Sequence, residues 1–401
     1  MMDGPPAQPG QPVLRWSARI HSIAAIEAEL ARIWASVSLT TNGEGGLDER
    51  RVAARSSVMN LVVIAGRGEV GERVAAIIQS LTGRHPSRTV ILSPADPDGP
   101  SWIDAQVQAH CILPSPDAPE TCAELIYLTA GGETGQHLSG CLAPLLVHDL
   151  PVTLWWPGEP RFENRQARDL LAMTDRIIVD GSAWSGDGLA RLVALAGLPS
   201  RHRLAVADFA LLRQSRWREA IASSFDMPRL RPFLRAISQV TVTYGAREGT
   251  PAMTNVVRPA YHLAWLGARL GWTVEAPLTA GAADWSGYDA RFRYGRRRIA
   301  VSLRPIESPM PPGTTLQVDI DARRRDGRLG VRVTAQADGV TVSTTVDGEP
   351  LPDRHFMAPR RREGDLLAQV IETVGADRVS SEALAMAAVL IAGPRPVHRP
   401  A

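Results

Sequence analysis

Between Gly66 and Gly71 the chain reads Gly-Arg-Gly-Glu-Val-Gly, three glycines at the spacing that lets a backbone turn approach a pyrophosphate. The run follows the apolar stretch 60–66 and opens a helix expected over 69–81, where N–H groups would face a phosphate. Gly66, Gly68 and Gly71 are therefore the candidate cofactor-binding residues, for a nicotinamide dinucleotide. The ribose-binding acid of such a site should end the second strand, about 20 residues on. That strand ends at Ser93-Pro94, and the first carboxylate is Asp96, 25 residues past Gly71. In a chain with 34 glycines, a plain turn into a sheet-covering helix is the preferred reading, and no cofactor is expected.

Other groupings could carry chemistry. His85, Ser87 and Arg88 at a strand edge could clasp an anion through imidazole, hydroxyl and guanidinium. The competing reading is a rigid connection in which Pro86 ends the helix and Ser87 caps locally. His148-Asp149 suggests acid–base work, but neighbours on a strand approach point to opposite faces and no Gly-x-Ser-x-Gly accompanies them. Asp175 and Asp180 flank an apolar strand; with only Ser182 as a further oxygen nearby, turn capping is preferred over metal binding. The nine histidines form no HxH, HExxH or HxxxH grouping, so no metal site is expected. Arg291, Arg293, Arg296, Arg297 and Arg298 could face a nucleic acid. The net charge is only +2, however, and Phe292 and Tyr294 fall on the opposite side of the alternation. A wetted sheet face is the better reading, with no nucleic-acid partner. No catalytic set emerges.

All 44 basic residues are arginine. With no lysine, Schiff-base chemistry, the Walker A phosphate site and the kinase strand lysine are excluded, because a guanidinium stays protonated. Cys111, Cys122 and Cys141 are spaced by 11 and 19 residues and form no CxxC pair. The opening residues MMDGPPAQPG lack the charged and apolar regions of a secretory signal. The cysteines are accordingly read as reduced, buried thiols of a cytoplasmic protein. No apolar run reaches the ~18 residues of a membrane helix.

These residues need elements to position them. Residues 1–46 read as a disordered leader, an amphipathic helix from Ile23 to Val37 and a Gly-rich linker. Residues 47–200 alternate short apolar strands with helices, the pattern of a mainly parallel sheet covered by helices. One such helix is expected over 136–147. Residues 201–401 read as an α+β domain. It opens with one long helix over 208–226, capped by Asp208, and a further helix follows over 259–270. From residue 288 an antiparallel meander follows, marked by Asp326-Gly327, Asp338-Gly339 and Asp347-Gly348 turns, before two C-terminal helices.

Several segments, in order, resemble the glucose-6-phosphate dehydrogenase assembly protein family (OpcA). They are Asn60-Leu61-Val62-Val63, His85-Pro86-Ser87-Arg88, Cys122-Ala123-Glu124 and the run from Leu145 through His148-Asp149-Leu150-Pro151-Val152 to Trp155-Trp156. Asp175–Asp180 with Ser182 and then Trp217-Arg218-Glu219 complete the set, spanning about residues 58–230. The chain departs from the family at His148, where many members carry Pro, and at Leu211-Leu212, where they carry a further Trp. The resemblance implies a non-catalytic activator that binds glucose-6-phosphate dehydrogenase and promotes its active oligomer. Aromatic and Arg side chains are the usual anchors of such contacts, so Trp155, Trp156, Trp217 and Arg218 are the candidate partner-binding residues. The alternative is an NAD(P)-binding oxidoreductase built on Gly66, Gly68 and Gly71.

Overall fold

The computed structural model describes residues 13–37, 54–55, 57–65, 68–81, 84–112, 121–247, 249, 253–283 and 285–393, which fall into two compact units. The leader 1–12, the linker 41–46 and Gly66 lie outside the described residues.

The first unit runs to Val179 and also takes in His202–Ala205 and Glu363–Thr373. Its strands are β1 (Val13–Ile20), β2 (Ala54–Arg55), β3 (Asn60–Ile64), β4 (Arg88–Pro94), β5 (Trp102–Ile112), β6 (Thr121–Gly131), β7 (Val152–Trp156) and β8 (Arg176–Val179). They lie in the order β1-β5-β6-β4-β3-β7-β8, with β2 beside β6. Ala205, where β9 (Ala205–Asp208) begins, donates its N–H to Asp175 O. β6, β4, β3, β7 and β8 are parallel, whereas β5 and β1 are antiparallel additions at one edge. The parallel strands are thus laid down third, second, first, fourth, fifth, the doubly wound arrangement that reverses direction between β3 and β7. All five residues of β3 are buried, as a strand covered on both faces requires.

Helices α1 (Ile23–Val37) and α2 (Gly68–Leu81) bury Ile26, Leu30 and Ile33, and Val74, Ala75, Ile78 and Leu81, at helical spacing. The single helix expected over 136–147 is three short pieces: α3 (Gly132–Gln136), α4 (Leu138–Leu142) and a 3₁₀ turn, Ala143–Leu145. His137 leaves helical geometry at ψ 45°, and Pro144, which has no N–H to give, tightens the last turn. α5 (Arg165–Leu171) is capped by Asn164, whose side chain accepts from Ala167 N.

The expectation of reduced thiols fails for two of the three cysteines. Cys111 and Cys122 face each other in the antiparallel β5–β6 register and form a disulfide, while Cys141 is free and buried. The physical reason is the hairpin: antiparallel pairing brings residues 11 apart directly opposite, a juxtaposition that motif spacing does not encode.

The second unit comprises Asp180–Arg201, Val206–Arg362 and the chain from Val374. Its sheet contains β10 (Ile237–Ala246), β11 (Thr273–Ala280), β12 (Tyr288–Tyr294), β13 (Arg297–Glu307), β14 (Thr315–Arg324), β15 (Gly327–Ala335), β16 (Gly339–Val346), β17 (Glu349–Pro350) and β18 (Arg354–Met357). The order is β11-β12-β13-β10-β14-β15-β16-β17, with β18 also on β16. The sheet is largely antiparallel, but its meander is split. β10 inserts between β13 and β14, parallel to the first and antiparallel to the second, burying Val240, Val242 and Tyr244. Asp347 and Gly348, at φ 55° and 92°, make the tight turn from β16 to β17. The Asp326-Gly327 turn is offset by one residue, since Gly327 already pairs with Arg324.

Helices α6 (Leu189–Ala196), α7 (Leu198–His202), α8 (Phe209–Leu212), α9 (Ser215–Ser223) and α10 (Val257–Leu270) precede or interrupt this sheet. The long helix expected from Asp208 is therefore two, broken at Arg213-Gln214. α10 is buried along most of its length and ends at Gly271, at φ 66°, a left-handed stop that glycine adopts without strain.

Candidate functional site

In the first unit, the separate motifs turn out to be halves of shared contacts. Arg88 and Glu124 are direct partners in the β4–β6 register, and Arg88 Nε donates to Glu124 Oε2 at 2.5 Å with both side chains buried. Arg88 Nη1 also reaches Glu27 Oε1 and Leu145 O, each at 3.0 Å. Ser87 Oγ bonds Thr89 Oγ1 at 3.0 Å, and His85 Nε2 lies 3.2 Å from Glu372 Oε1. Each of His85, Ser87 and Arg88 thus has its own protein partners, and none of those partners is shared among the three. α2 ends at Leu81, ahead of Pro86, and the Ser87 hydroxyl meets a side chain and not the backbone N–H that a local cap would take.

Asn60 Nδ2 donates to Val147 O and Leu150 O, and its Oδ1 accepts from Val147 N at 2.8 Å. The first residue of β3 therefore holds the turn that delivers Leu150-Pro151-Val152 into β7. Asp149 occupies that turn at φ 64°, exposed beside an exposed His148. Asp175 Oδ2 accepts from Val152 N at 2.8 Å, a contact with the start of β7 and not with a turn of its own.

Of the candidate partner-binding residues, Trp155 is fully buried, at 0% exposure, and Trp156 is half-buried at the end of β7. In the glycine pattern, Gly68 begins α2, and a Cβ there would meet nothing. A Cβ on Gly71 would make only ordinary contacts, 3.8 Å to Ala65 and 3.9 Å to Ile91. Asp96 uses its Oδ1 to accept from Asp98 N, closing a local turn.

The second unit holds a polar cluster around Asp180 and Asp208. Asp180 caps a 3₁₀ turn, Gly181–Ala183: its Oδ1 accepts from Ser182 N at 3.2 Å and from Ser182 Oγ at 2.5 Å. Its Oδ2 accepts from Arg213 Nη1 at 2.7 Å. Ser182 Oγ in turn receives Arg213 Nη1 at 3.3 Å and Arg258 Nη2 at 3.1 Å.

Asp208, 3% exposed, caps α8. Its Oδ1 accepts from Ala210 N and Gly181 N, and its Oδ2 from the Tyr261 hydroxyl at 2.8 Å. Burial, with the nearby Asp180 charge, pushes Asp208 up to about 6 despite these donors. The same enclosure and the Asp208 charge raise Tyr261 well above a phenol's usual value. Burial and the Arg213 charge lower Arg258. Asn255 ties the cluster together: Nδ2 donates to Gly181 O and Trp184 O, while Oδ1 accepts from Val257 N.

Trp217 is half-buried on α9, edge-on to His262 at 5.5 Å between centroids. His262 is fully buried, and burial reinforced by the Arg218 charge drives it down to about 3. Arg218 donates to Leu211 O at 2.7 Å, and burial lowers its pKa. Its guanidinium is thus turned toward its own chain.

Chemically, the cluster can fasten backbone and attract an anion at Arg213 and Arg258. Ser182 is not an activated nucleophile, because the carboxylate it donates to is already paired with Arg213. Sequence reasoning singled out Asp180, Ser182, Trp217 and Arg218 but missed Arg213, Arg258, Tyr261 and His262, and read Asp208 only as a cap. The available signal was on α10, where Arg258, Tyr261 and His262 fall three and four residues apart. Among the described residues, no group of three or more His, Cys, Asp or Glu could hold a metal ion.

A doubly wound first unit and an α+β second unit define a two-part class to which two family models can be fitted. The one described as the glucose-6-phosphate dehydrogenase subunit N-terminal domain matches residues 79–196, and the one described as its C-terminal domain matches residues 204–384. The chain belongs to the OpcA family of glucose-6-phosphate dehydrogenase assembly proteins. It is 31% identical over 214 residues to a Nostoc punctiforme relative named as an OxPP cycle protein, OpcA, and 28% identical over 202 residues to its Synechocystis sp. counterpart. These matches take in 52% and 50% of this chain and 42% and 40% of the relatives, so the chain spans less than half of each.

Among solved structures, an NAD binding oxidoreductase from Klebsiella pneumoniae is similar at TM-score 0.49 and 9% identity, over 84% of this chain and 97% of that one. The WlbA dehydrogenase from Thermus thermophilus, in complex with NAD and α-ketoglutarate, gives TM-score 0.42 and 16% identity, over 86% and 97%. A likeness at this level carries no functional argument.

Proposed function

We propose that this chain is a non-catalytic assembly factor that binds glucose-6-phosphate dehydrogenase in the cytoplasm and favours its active oligomer, serving the oxidative pentose phosphate pathway. One observation carries the reading: two domain models named for a subunit of that enzyme run consecutively through most of the chain. The paired state of Ser182 and Asp180 supports a role without chemistry of its own.

Such a factor acts only by binding the active arrangement more tightly than the inactive one. Reversing a 1:99 population asks for ~5.5 kcal/mol of differential affinity. The docking role is proposed for Trp156 and Trp217, whose half-buried indoles leave ring surface for a partner. Trp155 and Arg218, which face inward, serve them as neighbours in the chain. No cofactor, nucleic acid or membrane enters the proposal, and among the described residues no helix is long and apolar enough to cross a membrane.

The test is an assay of the cognate dehydrogenase, with and without the chain, alongside its mass by light scattering. A raised rate with a shift in oligomer is expected; a rate and mass both unmoved would end the proposal. The second reading, an NAD(P)-dependent oxidoreductase, draws on the central place of β3 and the helix that follows it. A dinucleotide titration addresses it directly, because no binding at millimolar cofactor removes it.

A further inference from the structure

On the second unit, away from the Asp180–Asp208 cluster in sequence, three elements bring four arginines to one groove of about 780 Å³. Arg231 and Arg235 come from the 3₁₀ helix Arg231–Ala236, Arg269 from the end of α10 and Arg324 from the end of β14. Pro232, Leu234, Leu270 and Tyr294 complete the lining.

The charges are unequally answered. Arg324 forms a two-pronged pair with Asp326, at 2.8 and 2.9 Å, and its guanidinium lies over the Phe233 ring. Arg269 pairs with Glu382 at 3.2 Å. Arg231 and Arg235, both exposed, have no side-chain partner among the described residues. One further arginine lies close by: Arg297 donates to Ala236 O and to Arg323 O, which sets it beside the end of the same 3₁₀ helix.

Four cations that never deprotonate, only two of them answered by carboxylates, leave the groove with a positive surplus that an anion would offset. A guanidinium fork matches the oxygens of a phosphate in a way a single ammonium cannot. The Leu234, Leu270 and Tyr294 side chains give the same groove an apolar wall for the rest of a molecule, and its volume is in the range of small-molecule sites.

We infer that this groove binds a phosphorylated small molecule, its phosphate held by Arg231 and Arg235 and its body lying against Tyr294 and Leu270. The inference is independent of the proposed role with the dehydrogenase: the site is defined by residues that the proposed docking surface does not use, and it stands or falls by a different measurement.

The experiment is calorimetric titration of the full chain at physiological salt with inorganic phosphate, glucose 6-phosphate, ATP and an acidic oligoglutamate peptide. The variants Arg231→Gln, Arg235→Gln and the pair are titrated in parallel. Both side chains are exposed, and an unchanged thermal melt establishes that each variant folds. Charged hydrogen bonds of this kind are worth enough that each substitution should weaken binding by roughly tenfold and the pair by roughly a hundredfold. Glucose 6-phosphate binding more tightly than ATP would identify a sugar phosphate as the ligand, and the reverse order a nucleotide; both support the site. Binding of no phosphate compound, binding that ignores both substitutions, or binding of the peptide alone would overturn it.

Discussion

Arg88 reaches Glu124 across two neighbouring parallel strands, with both side chains almost wholly out of water. Such a pair is costly to break from one side, because the surviving charge stays buried without compensation. Arg88→Met should therefore lower unfolding free energy by about 3–5 kcal/mol, and adding Glu124→Leu should recover most of that loss. Urea unfolding of the two variants is the check, and a double variant no better than the single would refute the pairing argument. A second consequence at this scale concerns acid. His262 is held down to about 3 by burial, whereas in the unfolded chain it titrates near the ordinary histidine value of 6.5. Below that value the unfolded chain takes a proton that the folded one refuses, so stability falls, by about 2 kcal/mol between pH 7 and pH 5. Asp208 runs the other way. Raised to about 6 from 3.8, it takes its proton first in the folded state, so its contribution to stability grows as pH drops from about 6 toward 4. Denaturation at pH 7 and pH 5 should show His262→Leu losing less stability than the parent over that interval, and Asp208→Asn losing more.

Elements were legible where burial alone decides them. The apolar runs of β3, β7 and β8 are continuous because both faces of a parallel sheet are covered, and α1 is found at its expected residues. What could not be read is pairing at long range. Nothing local to Val240–Tyr244 says that β10 will lie between β13 and β14, and nothing around Asp208 announces a hydroxyl donor 53 residues away. β1 also escaped, since Val13–Ile20 mixes Arg, Ser and Trp into its alternation. The Cys111–Cys122 bridge belongs to the same kind: it follows from the β5–β6 register. Thiol titration of the denatured chain, purified in air-equilibrated buffer, should give one reactive thiol, from Cys141, and three after reduction. Three before reduction would mean the bridge is not formed. The 3₁₀ turn after Asp180 is equally demanding. A Cβ on Gly181 would lie 2.7 Å from Asp208 Oδ2 and 2.9 Å from Val257 Cγ1. Gly181→Ala should cost about 1–3 kcal/mol, read by thermal melting, because packed surroundings resist the added methyl group.

At the scale of the whole molecule, the question is which surface a partner grips. Four residues looked equivalent as anchors when only their types and the family resemblance were known. Burial separates them, because Trp155 is enclosed and Arg218 turns its guanidinium to Leu211 O, while Trp156 and Trp217 keep part of their rings outside. Anchor residues contribute when an already ordered side chain loses its remaining water on contact, and Trp is prominent among them. Trp217 leans on His262, so its removal disturbs the second unit as well as any interface. Trp156, at the end of β7, gives the cleaner test. Trp156→Ala should weaken the proposed complex with the dehydrogenase by more than about 2 kcal/mol, roughly thirtyfold in affinity. Circular dichroism and the melting temperature should stay near those of the parent. Biolayer interferometry against the immobilised dehydrogenase measures the first quantity. An unchanged affinity in a folded Trp156→Ala chain would move the docking surface off β7, leaving Trp217 to be tried by Trp217→Phe, which keeps an aromatic ring against His262 while removing the outer part of the indole.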